Sequence, residues 1–340
     1  FGPARGMIRT MTEIAKIDQP ASAFMWALLL DGRGGGRSLT AAEADAWVPD
    51  DGILWLHLDI TAPGAPALID RLDLEETVAE ALTAVETRPR CDPVDQGLNV
   101  ALRGVNTNPG AEPEDMVALR IWVEAQRIVT ARRRRVLSAF DLRGELESGH
   151  GPLNSGDFIV QLADKLIERM QAVIDHSEER VGQLEEQVLT ASSRVFATDL
   201  ADLRRETVAL RRYLAPQREA LGRMLSARVP WLGETERIHL REVNDQLTRY
   251  IEDLDAVRER SAVLQQELSA RLQDELNRRM YVLSIVAAVF LPLGFLTGLL
   301  GVNIGGMPGV ESKAAFLFFL LMLIAVVAIQ VYWFKRKGWF

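Results

Sequence analysis

The amino-acid sequence predicts an α+β membrane protein: a layered α/β domain in the cytoplasm, then cytoplasmic helices, then a long helical stalk continuous with the first of two C-terminal transmembrane helices. Three observations predict it. Residues 281–301 and 314–334 are uncharged runs of about 20 residues each, the length that crosses a bilayer core. Residues 234–291 hold neither Gly nor Pro, and their apolar positions step by three and four, as on a helix. Residues 20–150 alternate short apolar runs with helical patterns, which implies packed α/β layers.

Residues 1–6 stand ahead of Met7 and are expected to be an expression remnant outside the fold. The domain proper is assigned to residues 7–150. Residues 24–30 are apolar but too short for a span, and they lack the basic leader of a signal peptide, so a buried strand is expected. Residues 53–60 read as another strand, in which His57 is expected to be a satisfied structural residue, since no ligating partner accompanies it. Residues 66–73 and 74–85 read as helices, the second with Leu74, Val78, Ala81, Leu82 and Val85 on one face. Residues 98–105 and 116–123 are strand-like, with 126–131 as a hairpin partner. The run Arg132, Arg133, Arg134, Arg135 sits in a chain of formal charge −8 without a wider basic face, so a solvated or salt-bridged turn is expected, and no nucleic-acid partner. One cysteine, Cys91, in 340 residues excludes a disulfide framework and a Cys-rich metal site. No Gly-rich phosphate loop, HExxH motif or nucleophile elbow occurs, so an enzyme is the least favoured class.

Residues 151–233 read as further cytoplasmic helices. Ser155 or Asp157 is expected to cap one whose apolar positions are Phe158, Leu162, Leu166, Met170 and Val173. Asp175, Glu178, Glu179, Glu185 and Glu186 crowd its later turns, either as a solvated face or as an ion-collecting surface. Residues 198–212 and 216–225 give two more helices, with Pro216 in the first turn of the second. In the stalk, residues 234–280, a heptad seam runs through Val243, Leu247, Tyr250, Leu254, Val257, Ser261, Leu264 and Leu268. Residues 234–300 would span about 100 Å as one rod. A seam on such a rod needs partners, and the expected partners are other copies of the chain.

Lys and Arg accumulate on the cytoplasmic side of membranes. Arg278 and Arg279 precede the first span and Lys335, Arg336 and Lys337, in the tail 335–340, follow the second, so both termini are expected inside and the loop 302–313 outside. Along the first span, steps of about 3.5 residues from Asn277 meet Met280, Ser284, Ala287, Leu291, Gly294, Gly298 and Gly301, mostly small or mildly polar. Small residues permit close helix packing or a narrow conduit, and packing is the better reading of the stripe alone. The conduit reading gains from Gly301-Val302-Asn303, which puts an amide at the outer mouth, and from Pro292, which softens the helix beneath it.

The run Pro292-Leu293-Gly294-Phe295-Leu296-Thr297-Gly298-Leu299-Leu300-Gly301-Val302-Asn303, the two C-terminal spans, the long stalk and the basic tail resemble the CorA superfamily of divalent-cation transporters. That family ends its first span in Gly-Met-Asn; Gly301-Val302-Asn303 followed by Ile304-Gly305-Gly306-Met307-Pro308-Gly309 looks like its zinc-transporting ZntB branch. Trp55-Leu56-His57-Leu58-Asp59 and Glu86-Thr87-Arg88-Pro89-Arg90 look like the family's strand and post-helix signatures, so the resemblance covers nearly the whole chain. It implies a homopentameric funnel in the inner or plasma membrane, with an α/β/α cytoplasmic domain and a central pore lined by the first span of each subunit. Family pore positions fall on Asn277, Met280, Leu283, Ala287, Leu291 and Gly294, and the residue matching Asn303 forms the external ring that receives a hydrated cation. Val302 in place of Met, and Gly309 where magnesium transporters often carry an acid, both weaken an assignment to magnesium.

Residues 281–301 contain no His, Cys, Asp or Glu, so a tetrahedral zinc cage is not available there and the ion is expected to cross hydrated. Direct carboxylate ligation is open only near Glu311, beside Lys313. Lys335, Arg336 and Lys337 form either a positive ring at the cytoplasmic mouth or a simple topology anchor together with Trp333 and Trp339. Proton coupling follows from the resemblance alone and would need water or groups outside the span. No resident cofactor is expected. The leading function is uptake of a divalent cation, zinc first, with magnesium, cobalt or nickel as alternatives; a non-conducting membrane scaffold or metal sensor, for which Asn303 would be dispensable, is the rival class.

Overall fold

The computed structural model describes residues 23–187, 193–302 and 312–337. Among them, seven strands form one sheet: β1 (Phe24–Leu30), β2 (Gly36–Leu39), β3 (Ile53–Asp59), β4 (Arg90–Val94), β5 (Gly97–Gly104), β6 (Val117–Val123) and β7 (Arg127–Arg132), in the order β2-β1-β3-β7-β6-β5-β4. β3 and β7 run parallel, with Leu54 beside Arg127 and Asp59 beside Arg132; the other neighbours are antiparallel. Successive side chains of a strand point to opposite faces, and here both faces are covered, which is why the central strands read as nearly unbroken apolar runs.

On one face, Ala27, Leu54, Leu56, Leu58, Val129 and Ala131 pack under α2 (Ala65–Asp70) and α3 (Glu76–Thr83), with α1 (Ala41–Asp45) at the sheet's β2 end. On the other, Trp26, Leu28, Trp55, Leu102, Leu119 and Ile121 meet α4 (Leu137–Ser148) and the long helices α5 (Ser155–Gln187), α6 (Ser193–Ser226) and α7 (Glu234–Leu300). Three layers result. The chain divides into two compact units, Phe1–Gln265 and Gln266–Phe340; the second holds the rest of α7 and α8 (Ala315–Arg336).

His57 is fully buried. Its Nδ1 lies 2.7 Å from Thr130 Oγ1, which also accepts from Trp55 Nε1 at 2.8 Å, and the Trp26 ring stacks on it at 4.0 Å. Burial, then the charges of Arg132 and Arg143, hold its pKa well below the usual imidazole value, so it is a neutral core residue. The expectation of a satisfied residue is not fully met, because its buried Nε2 has no partner in the protein.

Several expectations are corrected. The second predicted helix is shorter than residues 74–85: α3 stops at Thr83, and Arg120 Nη2 donates to the carbonyls of Ala84 (2.6 Å) and Val85 (3.2 Å), leaving Val85 outside the helix and 70% exposed. Neither Ser155 nor Asp157 caps α5. Asn154 does, accepting from Asp157 N at 2.8 Å, while Ser155 Oγ donates to Ala125 O. Residues 198–212 and 216–225 belong to one helix, α6, with Pro216 inside it; buried Leu210, Leu214, Ala220 and Leu221 hold both sides of the proline to the same core. Arg132 is no turn residue: it ends β7, almost wholly buried, 3.6 Å from the Asp59 carboxylate, whereas Arg134 does form an exposed ion pair, with Asp115.

The heptad seam is corrected too. Val243, Leu247, Tyr250, Leu254, Val257, Ser261 and Leu264 are buried, and Leu268 is half-buried. Their cover is the chain itself: Leu247 and Leu254 share one core with Phe158, Leu166 and Met170 of α5 and Leu210 and Leu214 of α6. Polar contacts follow the same seam, from Arg211 to Asp255 at 2.6 Å and from Arg260 to Glu185 at 2.5 Å. This stretch therefore does not call for other copies. Truncating Leu254 to Ala is expected to destabilise the first unit by about 2–5 kcal/mol. Tryptophan-monitored urea unfolding would show the same loss at low and high protein concentration, because the partner helices lie in the same chain.

Candidate functional site

The C-terminal part of α7 and the whole of α8 are each long and apolar enough to cross a membrane. Within the second unit they pack side by side along one arc of each helix. On α7 the half-buried residues of the span are Ile285, Ala288, Val289, Leu293 and Leu296; on α8 they are Ala315, Phe319, Leu323, Val326, Val327, Gln330 and Phe334. With 3.6 residues per turn, the predicted stripe lies roughly opposite that arc of α7. Asn277, Met280, Leu283, Ser284, Ala287, Leu291 and Gly298 are all exposed. Gly294 is exposed as well and borders an apolar cleft of about 860 Å³ between the helices, with Phe290, Leu293 and Thr297 on α7 and Ile324, Val327 and Val331 on α8.

The glycines of the stripe are not explained by packing within the chain. A methyl group added at Gly294 or Gly298 would meet nothing within 4 Å. At Gly301 it would meet Thr297 O at 2.8 Å, and Gly301 N closes the helix on that same carbonyl at 2.9 Å. Hydroxyls on the span turn their protons inward to the backbone: Ser284 Oγ donates to Met280 O at 2.8 Å, and Thr297 Oγ1 to Leu293 O at 2.9 Å. Each hydroxyl thus presents only oxygen lone pairs to its surroundings. Asn277 Oδ1 accepts from Gln273 Nε2 at 3.2 Å.

Pro292 lacks the N–H that would bond the carbonyl of Ala288, four residues earlier. Gln330 of α8 supplies the missing donor, its Nε2 reaching Ala288 O at 3.3 Å. Sequence reasoning saw Pro292 and missed Gln330; the signal was a lone amide in an otherwise apolar span.

Val302 is 45% exposed at the end of the helix. Asn303, Glu311 and Trp339 lie outside the described residues. Lys335 and Arg336 form the last turn of α8, and Lys337 Nζ sits 5.2 Å from the Trp333 ring centre, a cation–π contact. Among the described residues, no cluster of three or more His, Cys, Asp or Glu is placed to hold a metal ion. On the acidic face of α5, the Glu185 carboxylate takes two bonds from Arg260 (2.7 and 2.5 Å), which depress its pKa.

A family model described as a CorA-like Mg2+ transporter protein matches residues 50–336. The zinc transport protein ZntB of Yersinia enterocolitica (serotype O:8 / biotype 1B) is 36% identical over 316 residues, 93% of this chain and 95% of that protein. The divalent cation transporter CmaX of Pseudomonas aeruginosa is 38% identical over 321 residues, 93% of this chain and 96% of that protein. The solved structure of the full-length CmaX protein matches with a TM-score of 0.82 at 36% identity, covering 95% of this chain and 100% of that one.

The Gln330 contact is expected to matter only because of the proline. Gln330→Leu would destabilise the helix pair by about 1 kcal/mol in the native background and by much less beside Pro292→Ala, as read from a double-mutant cycle of unfolding in bicelles.

Proposed function

The chain belongs to the CorA-like Mg2+ transporter family, and from that premise we propose that it carries zinc inward across the inner or plasma membrane, through a pore shared by five copies of the chain. The observation that carries the pore reading is the stripe on α7, small and mildly polar, exposed along its length and holding two glycines at which an added methyl group would meet nothing within 4 Å. Several copies facing one axis with that stripe would form a narrow conduit, α8 lying outside it. Zinc as the cargo rests on relatives named for zinc and divalent-cation transport, and on Val302 and Gly309 in the outer-mouth sequence.

In this reading the first unit and both termini are cytoplasmic, with Arg278, Arg279, Lys335, Arg336 and Lys337 on the inner side. The Lys337–Trp333 contact favours an anchoring role for the tail over a gating ring. The pore-lining positions are Asn277, Met280, Leu283, Ser284, Ala287, Leu291, Gly294 and Gly298, and Gly301, Val302 and Asn303 form the outer mouth, with Glu311 beside it. A hydrated cation turns its water hydrogens outward. Asn303 amide oxygens and the Ser284 oxygen, whose proton is engaged by Met280 O, accept from those hydrogens without stripping the ion, so binding stays weak enough for release. An inside-negative potential contributes about 2.3 kcal/mol per charge per 100 mV, hence roughly 4.6 kcal/mol for a divalent ion, a bias of more than about a thousandfold toward uptake. Because the span carries no carboxylate or imidazole, any coupled proton moves through water or through groups outside it. The relatives are transporters, and no catalytic step or resident cofactor is proposed.

Zinc flux into liposomes holding the purified protein tests the reading. Entry is expected to fall at least about tenfold in Asn303→Ala, to exceed magnesium entry, and to change with an imposed pH gradient if protons are coupled. Magnesium entry without zinc entry would reassign the cargo. A folded, inserted protein that passes neither ion would leave a scaffold or metal sensor in its place.

A further inference from the structure

Two stretches that the ion path does not use, Glu86-Thr87-Arg88-Pro89-Arg90 and the basic run at residues 132–135, meet in the first unit at one cavity of about 510 Å³. Its lining holds six arginines, Arg88, Arg103, Arg120, Arg133, Arg134 and Arg212, against two acids, Glu86 and Asp115, an excess of four positive charges in a chain whose net charge is −8. Asp115 is already engaged by Arg134 at the rim.

Two guanidinium groups of the cavity are held by backbone carbonyls. Arg103 donates to the carbonyls of Met116 (2.8 Å) and Thr87 (2.9 and 3.3 Å), and its guanidinium lies 3.9 Å from the centre of the Tyr213 ring. Arg120 is 2% exposed and bonded through Nη2 to the carbonyls of Ala84 and Val85, while its Nε and Nη1 have no partner in the protein. Carbonyl dipoles fix the two guanidinium groups in place but supply no counter-charge. Burial first, then Arg133, Arg103 and Arg90, push the Arg120 pKa down to about 10, as expected where positive charge accumulates without an anion. Arg88, Arg133 and Arg212 are exposed and line the same cavity. A buried guanidinium with unpartnered donors, beneath exposed basic side chains, gives the cavity the chemistry that an anion would neutralise.

We propose that this cavity binds an oligophosphate, a chain of about two or three phosphates, either free or carried on a nucleotide. A single tetrahedral oxyanion would fill only a small part of the volume and offset only part of the charge. Planar guanidinium forks suit successive phosphate oxygens, and the lone aromatic ring, Tyr213, already carries Arg103 on one face, so the phosphate chain provides the recognition.

The test is the melting temperature of the full-length protein in detergent, with chelator present and no added divalent ion, titrated with tripolyphosphate, ATP, orthophosphate or citrate against sodium chloride at equal ionic strength. Tripolyphosphate is expected to raise the melting temperature above the chloride control, and the Arg133→Gln/Arg212→Gln pair to weaken its apparent affinity by about tenfold or more. Both substituted residues are exposed, so far-UV circular dichroism should stay unchanged, and Arg33→Gln on the same unit should leave the affinity intact. ATP acting more strongly than tripolyphosphate would identify a nucleotide, and equal action a free chain; either supports the site. A shift matched by chloride or citrate, or undiminished in the double variant, would overturn it.

Discussion

One helix has to satisfy two different surroundings, and the rest of the structure depends on how it does so. α7 is continuous for 67 residues, and its own chain buries it only through Leu264, against α5 and α6. Beyond that point its apolar side chains are exposed, apart from half-buried Leu268 and the arc beneath α8. In water a surface of that kind would be a large exposed apolar patch. In hydrocarbon the side chains need no burial and the demand passes to the backbone, where every N–H and C=O must find a partner within the protein. Pro292 breaks that condition at Ala288 O, and Gln330 restores it from the neighbouring helix. The pairing also sets which face of α7 meets α8, and so which face remains open.

The proposed pore rests on that open face. The ZntB and CmaX relatives are matched over 93% of the chain, so the likeness includes the stalk and both spans. Ser284, Ala287, Leu291 and Gly298 share the uncovered side, and nothing in the single chain requires glycine at 294 or 298. With the heptad seam of residues 243–264 satisfied internally, the proposed assembly of several copies rests on this stripe alone. A path without carboxylate, thiolate or imidazole suits an ion that keeps its water, since tight ligands would hold a zinc ion too long for transport.

Where the physics is periodic the fold was legible in the sequence. β1, β3, β5, β6 and β7 are buried on both faces and therefore appear as apolar runs, and α5 and α7 carry their apolar residues at steps of three and four. β2 and β4 escaped because each lies at a sheet edge, paired on one side only, where Gly36-Arg37-Ser38-Leu39 and a strand containing Pro93 are tolerated. α4 turns Leu142, Leu146 and small neighbours to the core, with Phe140 half-buried against Trp26, a spacing too sparse to mark a helix. Helix ends failed for a related reason: the arginine that draws off the carbonyls after α3 is Arg120, more than thirty residues away. At the site, the stripe could be read because it repeats along one helix. The Pro292–Gln330 pairing and the arginine cavity could not, because each joins segments far apart in the chain.

The most direct measurement is labelling of single substitutions by a small, water-soluble thiol reagent in liposomes, with and without zinc. Ser284→Cys and Ala287→Cys sample the open stripe; Ile285→Cys and Val289→Cys sample the arc beneath α8. The native Cys91 stays silent, being fully buried with a thiol pKa pushed up to about 12. A water-filled path along the stripe requires labelling at Ser284→Cys and Ala287→Cys, slowed by zinc, and none at the other two positions. Labelling at Ile285→Cys and Val289→Cys with the stripe positions unreactive would contradict it.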